Sequence, residues 1–303
     1  MQYPYSVVDV FTQQPFSGAQ ITVFTRADGL SDGQMQVLAR ETNHSETVFV
    51  RTPGDRRSPE LKVFSPVGEC GVGSHTTVAA AFALAQSGAI ASAEGLNRCS
   101  FVQGSAVIPV LINRSGEGVV TQVGFTVEPQ IDRYVPSRDE LASILGVKDQ
   151  DFETVKASAL FVSCDTPYLI VPLRSLDAVY RARFSSEAWA QSSASSIPVN
   201  HILLCCPESE SVKADFHLRL LAPGHAHRDD PPVGAAVPAF AAFLADKLAD
   251  GTHTLWLERG MRERRQSLLK VEFDSRRSAP LQVRVGGDAV IVAEGKMSVP
   301  AVA

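Results

Sequence analysis

An internal repeat constrains the fold of this chain more than any other feature. Two Ala-rich stretches, Ser74 to Gln86 and Ala235 to Leu248, each follow a strand-like run, a proline, a polar loop and a glycine, Gly73 or Gly234. Asn43-His44 recurs as Asn200-His201, and Pro66 recurs as Pro223, both 157 residues further on. Gly73 and Gly234 are 161 apart, a shift of four that one longer loop accounts for. The period is domain-sized rather than the few tens of residues of a solenoid, so it predicts two homologous domains. At 303 residues the chain is long enough for two cores. The expected join lies near Glu128 to Ser137, where Pro129 and Pro136 bracket a polar stretch. That gives an N-terminal domain over 1–130 and a C-terminal domain over 131–303, whose last strand is free to cross back to the first.

Local patterns fill in the halves. Tyr5 to Phe11 alternates as a strand, and Ile21 to Phe24 is a second apolar run. Ser31-x-x-Gln34 is a capping box, predicting a helix from Asp32 to about Glu41. Thr47 to Val50 and Leu61 to Phe64 read as strands, and the Ala-rich helix from Ser74 to Gln86 can end at Gly88. The second half repeats the order. Strands are expected at Leu160 to Val162, Tyr168 to Val171, Ile202 to Cys205 and Phe216 to Leu221, with helices at Ser186 to Gln191 and Ala235 to Leu248. A second capping box, Ser137-x-x-Glu140, opens a short helix that Gly146 ends. Strands outnumber helices and most connections are hairpin-like. The expected class is α+β, with a curved mixed or antiparallel sheet wrapped around one Ala-rich helix in each half. A doubly wound sheet would need a helix after nearly every strand.

Composition excludes several functions. Apolar residues at 45% and charged residues at 20% rule out a disordered chain. A net charge of −5 and a pI near 5.8 argue against a nucleic-acid partner. The cluster Arg262, Arg264, Arg265, interrupted by Glu263, reads as a solvated hairpin face. No run approaches the roughly 18 apolar residues of a membrane helix, so no membrane partner is expected. Met1-Gln2-Tyr3-Pro4-Tyr5 lacks the basic start and apolar run of a signal peptide, so the expected location is cytoplasmic. The five cysteines are odd in number and lack a CxxC spacing, which suggests neither a disulfide framework nor a zinc site. Cys205-Cys206, inside an apolar run, read as buried strand thiols. Neither GxSxG nor GxxxxGK[ST] occurs, and Gly71-Val72-Gly73 lacks the third glycine of a dinucleotide fingerprint, position 76 being threonine.

The residues alone leave the site open. Two helix N-termini facing each other across a crevice between the halves would suit a carboxylate from both sides, while ordinary glycine turns explain the same pattern. Glu46 sits where a polar turn enters a strand, and taken alone reads as a solvated strand-entry glutamate. His225-x-His227 with Asp230 could hold a metal, against the plainer reading of an exposed loop.

Met35 to Val50, with Ala39-Arg40-Glu41 and Asn43-His44-Ser45-Glu46-Thr47, resembles the "AREMNLSET" block of the phenazine-biosynthesis PhzF-like family. Val8-Asp9-Val10-Phe11 with Pro15-Phe16-Ser17-Gly18 is similar to that family's "DAFT…PFSGNP" start. Phe64-Ser65-Pro66 with Glu69 and His75 is similar to its "FTP…E…GHP" block, and Asp230-Pro231 with Gly234 to its "EDPATGSA" block. The blocks fall in order along nearly the whole chain, as far as Gly295-Lys296.

This resemblance implies a diaminopimelate-epimerase-like fold of two pseudo-symmetric domains, each a barrel-like sheet around a central helix. It implies an isomerase that moves a proton between carbons of a small carboxylated metabolite without metal or organic cofactor, as in the isomerisation of dihydro-3-hydroxyanthranilate. It casts Glu46 as general base and then acid, with His75 and Asp230 completing the catalytic set. It gives substrate binding to Ser45, Gly73, Ser74, Gly234 and Ala235, backbone amides at the helix starts holding the carboxylate, and it implies a homodimer. The sequence departs from the family at Ala19, Ser74 and Ala235, where the blocks carry asparagine, glycine and serine. Two-base racemases of this fold place cysteines at the helix starts, where this chain has Gly73 and Val233; Cys70 lies three residues early. Two alternatives stand beside the one-base isomerase: a non-catalytic paralogue that binds a small carboxylate, and a metal-dependent enzyme using His225, His227 and Asp230.

Overall fold

The antiparallel, parallel, antiparallel pairing of the first four strands repeats in the second half. β1 (Gln2–Val10) runs antiparallel to β2 (Ala19–Phe24), β2 parallel to β3 (Glu46–Arg51) by way of helix α1 (Asp32–Thr42), and β3 antiparallel to β4 (Glu60–Phe64). The two-residue β5 (Glu69–Cys70) folds back on β4 and leads into α2 (Ser74–Gln86), followed by the meander β6 (Gly95–Gln103), β7 (Ala106–Ser115) and β8 (Gly118–Val127). After β9 (Gln130–Asp132) and α3 (Arg138–Leu145), β10 (Leu160–Ser163) runs antiparallel to β11 (Pro167–Pro172). The chain passes through α4 (Leu176–Arg181) and α5 (Ser186–Gln191) to β12 (Ile202–Cys206), parallel to β11, and β13 (Phe216–Leu221) returns antiparallel. A 3-10 turn at Gly234–Ala236 runs into α6 (Val237–Ala245). Four long strands finish the chain: β14 (Gly251–Met261), β15 (Arg264–Ser275), β16 (Leu281–Gly287) and β17 (Ala289–Ser298).

The computed structural model describes all residues except 53–57, 72, 91, 194, 196, 198–200, 222–230, 262–263, 277–278 and 300–303. The chain forms two units: Met1–Phe125 with Arg265–Leu269 and Arg284–Ala303, and Thr126–Arg264 with Lys270–Val283. In the first unit β17 pairs with β1 along its length, from Gln2↔Ser298 to Val10↔Ala289. No helix among the described residues is long and apolar enough to cross a membrane.

The sequence accounts for the packing of each unit. In α1, the Ser31–Gln34 capping box is reciprocal, and the helix buries Met35, Leu38 and Ala39. These meet Phe24, Phe49 and Phe64; Phe24 stacks on Phe49 at 4.9 Å, and Phe49 meets Phe64 edge-on at 5.8 Å. Helix α2 is buried from Ser74 through Ala85, which is why it shows no polar face. Its five alanines keep it narrow enough for strands to close around it. In the second unit α3 and α4 bury Leu141, Ile144, Leu145, Ala178 and Val179 against Leu169, Val171, Ile202 and Leu204. The buried Arg219 donates to Val179 O at 2.7 Å and Ala182 O at 2.9 Å, satisfying carbonyls at the end of α4.

Three sequence expectations need correction. The helix expected over Ala235 to Leu248 is shorter: its first turn is 3-10, and the α-helix ends at Ala245. Pro238 in the opening turn has no N–H to offer, so the helix starts late. Strands β6–β8 and β14–β17, and helix α4, have no counterpart in the local reading. Arg265 does not stand on a solvated face: it forms an ion pair with the fully buried Asp9, 256 residues away.

Candidate active site

The Glu46 end of β3 is fixed by side chains from its neighbours. Asn43 ends α1 in the left-handed region at φ 50°, its N–H bonded to Ala39 O at 3.2 Å. The hydroxyls of Thr42 and Thr47 meet at 2.9 Å across the turn, and Nδ1 of His44 lies 2.6 Å from Oγ1 of the buried Thr22 on β2. Glu46 is thereby delivered as the first residue of β3, opposite Ile21 in the parallel register.

Facing it is the start of α2. Oε2 of Glu46 lies 2.5 Å from Nε2 of His75, whose side chain is 2% exposed against 22% for the glutamate. Glu46 Oε2 and both ring nitrogens of His75 are buried without a hydrogen-bond partner among the described residues. Buried polar atoms are seldom left so, and three together mark a place where a ligand can supply the missing partners. Gly73, the N-cap of α2, offers no side-chain acceptor to the first-turn N–H groups. Its carbonyl accepts from Thr76 Oγ1 at 2.8 Å and Thr77 Oγ1 at 3.0 Å. The His75 ring folds back over Gly73: a Cβ there would stand 2.6 Å from Cε1 and 3.0 Å from Nδ1. The place where a cysteine side chain would begin is taken by the imidazole.

Of the expected site residues, Glu46, His75 and Gly73 are together in the first unit, with Ser45 and Ser74 as their chain neighbours. Ser45 is half-buried and Ser74 buried. In the second unit Gly234 is buried and Ala235 exposed in the 3-10 turn. Asp230, like His225 and His227, lies outside the described residues. Arg259, 6% exposed, donates to Pro231 O at 3.3 Å. No group of three or more metal-ligating side chains occurs among the described residues.

The sequence reading missed a second buried acid–imidazole pair. His217 Nδ1 lies 2.6 Å from Glu258 Oε1, the two side chains being 1% and 3% exposed. Glu258 also accepts the N–H groups of Glu210 at 3.0 Å and Ser211 at 2.6 Å. Burial pushes the Glu258 carboxyl up, but the hydrogen bonds from His217 and the two backbone groups outweigh it and hold it below the usual range. Strand pairing alone brings these residues near, since His217 is in register with Glu258 across β13 and β14. An isolated histidine in an apolar strand carries no sign of that partner.

The chain matches the phenazine biosynthesis-like protein family over residues 8–295. It belongs to that family. A structure of a phenazine biosynthesis protein of the same family from Bacillus anthracis superposes with a TM-score of 0.86 at 23% identity, covering 98% of this chain and 99% of that one. The fold is thus the one the sequence implied, two epimerase-like α+β units. An uncharacterised isomerase of Mesorhizobium japonicum is 28% identical over 298 residues, 97% of this chain and 98% of its own length. A trans-2,3-dihydro-3-hydroxyanthranilate isomerase of Pseudomonas chlororaphis is 41% identical over 80 residues, 26% of this chain and 29% of its own. Within the family, this member has an acid–imidazole pair in its first unit and a glycine under the ring.

Proposed function

We propose that this member of the phenazine biosynthesis-like family is an isomerase that moves a proton between carbons of a small carboxylated metabolite, with Glu46 as base and then acid. The observation that carries this is the 2.5 Å approach of Glu46 to the buried, otherwise unpartnered His75. In the proposed step a Glu46 oxygen takes the proton from the substrate carbon, and the electron pair left behind delocalises into the adjoining unsaturated system. The Glu46 carboxyl exchanges its proton with solvent and then delivers a proton to a different carbon of that system. His75 bonds a substrate oxygen and steadies the charge that develops there. The first N–H groups of α2, at Gly73 and Ser74, take the substrate carboxylate, beside Ser45. Asp230 is assigned to the catalytic set, and Gly234 and Ala235 to substrate binding. No cofactor enters this step.

Support also comes from what the repeat has lost. At the offset of 157, Glu46 corresponds to Leu203, and at 161, His75 corresponds to Ala236; both are buried and apolar. At the positions equivalent to Glu46 and His75 the second half thus has no acid and no imidazole, which favours one carboxylate over two symmetric bases. The names of the relatives agree with an isomerase. We also assign the chain to a cytoplasmic homodimer.

The first substrate to test is trans-2,3-dihydro-3-hydroxyanthranilate, because the relative from Pseudomonas chlororaphis is named for it. Its conversion, followed by proton NMR, should be lost in Glu46→Gln with folding unchanged; full conversion by that variant would refute the assignment of the base. A binding protein without turnover is the second reading, favoured by Ala235, which puts a methyl where the family block has a hydroxyl. It predicts that a bound carboxylate is recovered unchanged.

A further inference from the structure

The second unit holds a cavity of about 220 Å³ to which neither Glu46 nor His75 contributes. Its floor is core. Leu141 of α3, Phe152 and Val171 of β11 are 2%, 4% and 0% exposed, and Pro172 is buried beside them. The half-buried Ala159 completes the apolar lining. Close-packed interiors keep few voids larger than a water molecule, so an opening onto core side chains needs a rigid frame. Here the segment that walls the cavity is tied to the end of β11. Phe152 bridges Leu173, the N–H of Glu153 donates to Pro172 O at 3.1 Å, and that of Arg174 to Asp151 O at 2.8 Å.

The lining also carries two opposite charges. Arg138, in the first turn of α3, donates through Nη2 to Asp149 Oδ2 at 2.7 Å, and its Nη1 and Nε have no partner among the described residues. Glu153 accepts the N–H groups of Thr154, Val155 and Lys156 on Oε1 alone, at 2.8, 2.8 and 3.2 Å. Those bonds, led by the one from Val155, hold its carboxyl below the usual range and keep it ionised at neutral pH. Its Oε2 has no partner among the described residues. Thr154 and Ser158, both exposed, stand at the mouth.

This charge pattern discriminates between occupants. A simple carboxylic acid would bring a like charge to Glu153, and a simple amine a like charge to Arg138. A molecule with both groups meets an opposite charge at each. The volume is below the roughly 300–1,000 Å³ of pockets for drug-sized ligands, so the occupant is small. We propose that this cavity binds a free α-amino acid with a branched aliphatic side chain, its carboxylate on Arg138, its ammonium on Glu153 and its side chain on Leu141, Phe152 and Val171. None of these residues belongs to the set assigned to the proton shift, so the site stands whether or not Glu46 is the base.

The test is calorimetric titration of L-leucine, 4-methylpentanoate and leucinamide into this chain; the second probe lacks the ammonium group and the third the carboxylate. Wild type should bind leucine at millimolar concentration or below, and each of the other two more weakly by about threefold or more. Glu153→Gln should weaken leucine by about threefold or more without weakening 4-methylpentanoate, and Arg138→Gln should weaken leucine as much without weakening leucinamide. Ser158 is exposed, so Ser158→Trp covers the mouth without entering the core; it should abolish leucine binding at an unchanged melting temperature. In wild type the methyl resonances of Leu141 and Val171 should move as leucine is added. No leucine binding to wild type, equal affinity for the three probes, wild-type leucine affinity in both charge variants, or resonance shifts confined to His75 would each overturn the proposal.

Discussion

The His75 ring lies so close over Gly73 that a Cβ at position 73 would stand 2.6 Å from Cε1. Gly73 has φ −126°, an ordinary extended conformation that any residue adopts, so the restriction comes from the ring and not from the backbone. An imidazole beside Glu46 and a cysteine at this helix start are therefore mutually exclusive in this chain.

Gly73→Ala should push His75 away from Glu46 while leaving α2 intact. Turnover should fall by roughly 100-fold or more, the usual cost of losing one donor that stabilises developing charge. The imidazole nitrogen resonances of His75 should change, with little change in melting temperature. Full activity with unchanged His75 resonances would show that the ring does not depend on the glycine. Gly73→Cys should behave in the same way and should gain no racemase activity.

The Glu258–His217 pair makes a prediction about acid. A carboxyl held below its ordinary value, about 4.3, favours the folded state above that pH. Its contribution is lost as pH falls through the folded-state value. Wild type should therefore lose stability below about pH 4.5 more steeply than Glu258→Gln. At neutral pH that variant should already be less stable by about 1–3 kcal/mol, because the amide keeps one acceptor oxygen and turns an NH2 towards a donor that the second carboxylate oxygen had satisfied. Chemical denaturation across the pH range checks both parts; parallel curves for the two proteins would show that the pair is not linked to folding.

The thiols should be inert. Burial pushes Cys206 up to about 12 and Cys164 up to about 11, and Cys205 higher still. Cys70 is raised by burial and by the charge of Glu46, and Cys99 by burial. Since the thiolate is the reactive form, Ellman's reagent at pH 8 should label no cysteine of the folded protein at the rate of a free thiol, and all five after unfolding. Cys70→Ser should keep its activity. A fast-reacting Cys70, or an inactive Cys70→Ser, would point to thiol chemistry in place of the carboxylate.

Local features were legible in the sequence because their causes are local. Ser31 and Ser137 both form reciprocal capping boxes with the residue three further on, and α2 begins at Ser74 where Gly73 precedes it. The repeat was legible because Asn43-His44 and Pro66 recur at one offset. The meander β6–β8 was not, although Gly104 and Gly116 at φ +57° and +58° mark its two tight turns. Burial alternates along β7, with Ile108, Val110 and Ile112 inside, but the outward positions include the apolar Val107, Pro109 and Leu111, so the sequence shows no alternation. Arg265 looked solvated because its partner, Asp9, is remote in sequence; only the pairing of distant strands reveals a buried acid that needs a cation. Glu46 and His75 were placed by resemblance, and local pattern gave no hint of the imidazole that meets the carboxylate.

Solvent proton exchange tests the central claim most directly. Trans-2,3-dihydro-3-hydroxyanthranilate incubated with wild type in deuterium oxide should take up deuterium at the carbon that receives the proton, read by NMR and mass spectrometry. Glu46→Gln should show none while keeping the fold and the carboxylate affinity of wild type. Deuterium uptake at the wild-type rate in Glu46→Gln would contradict the account.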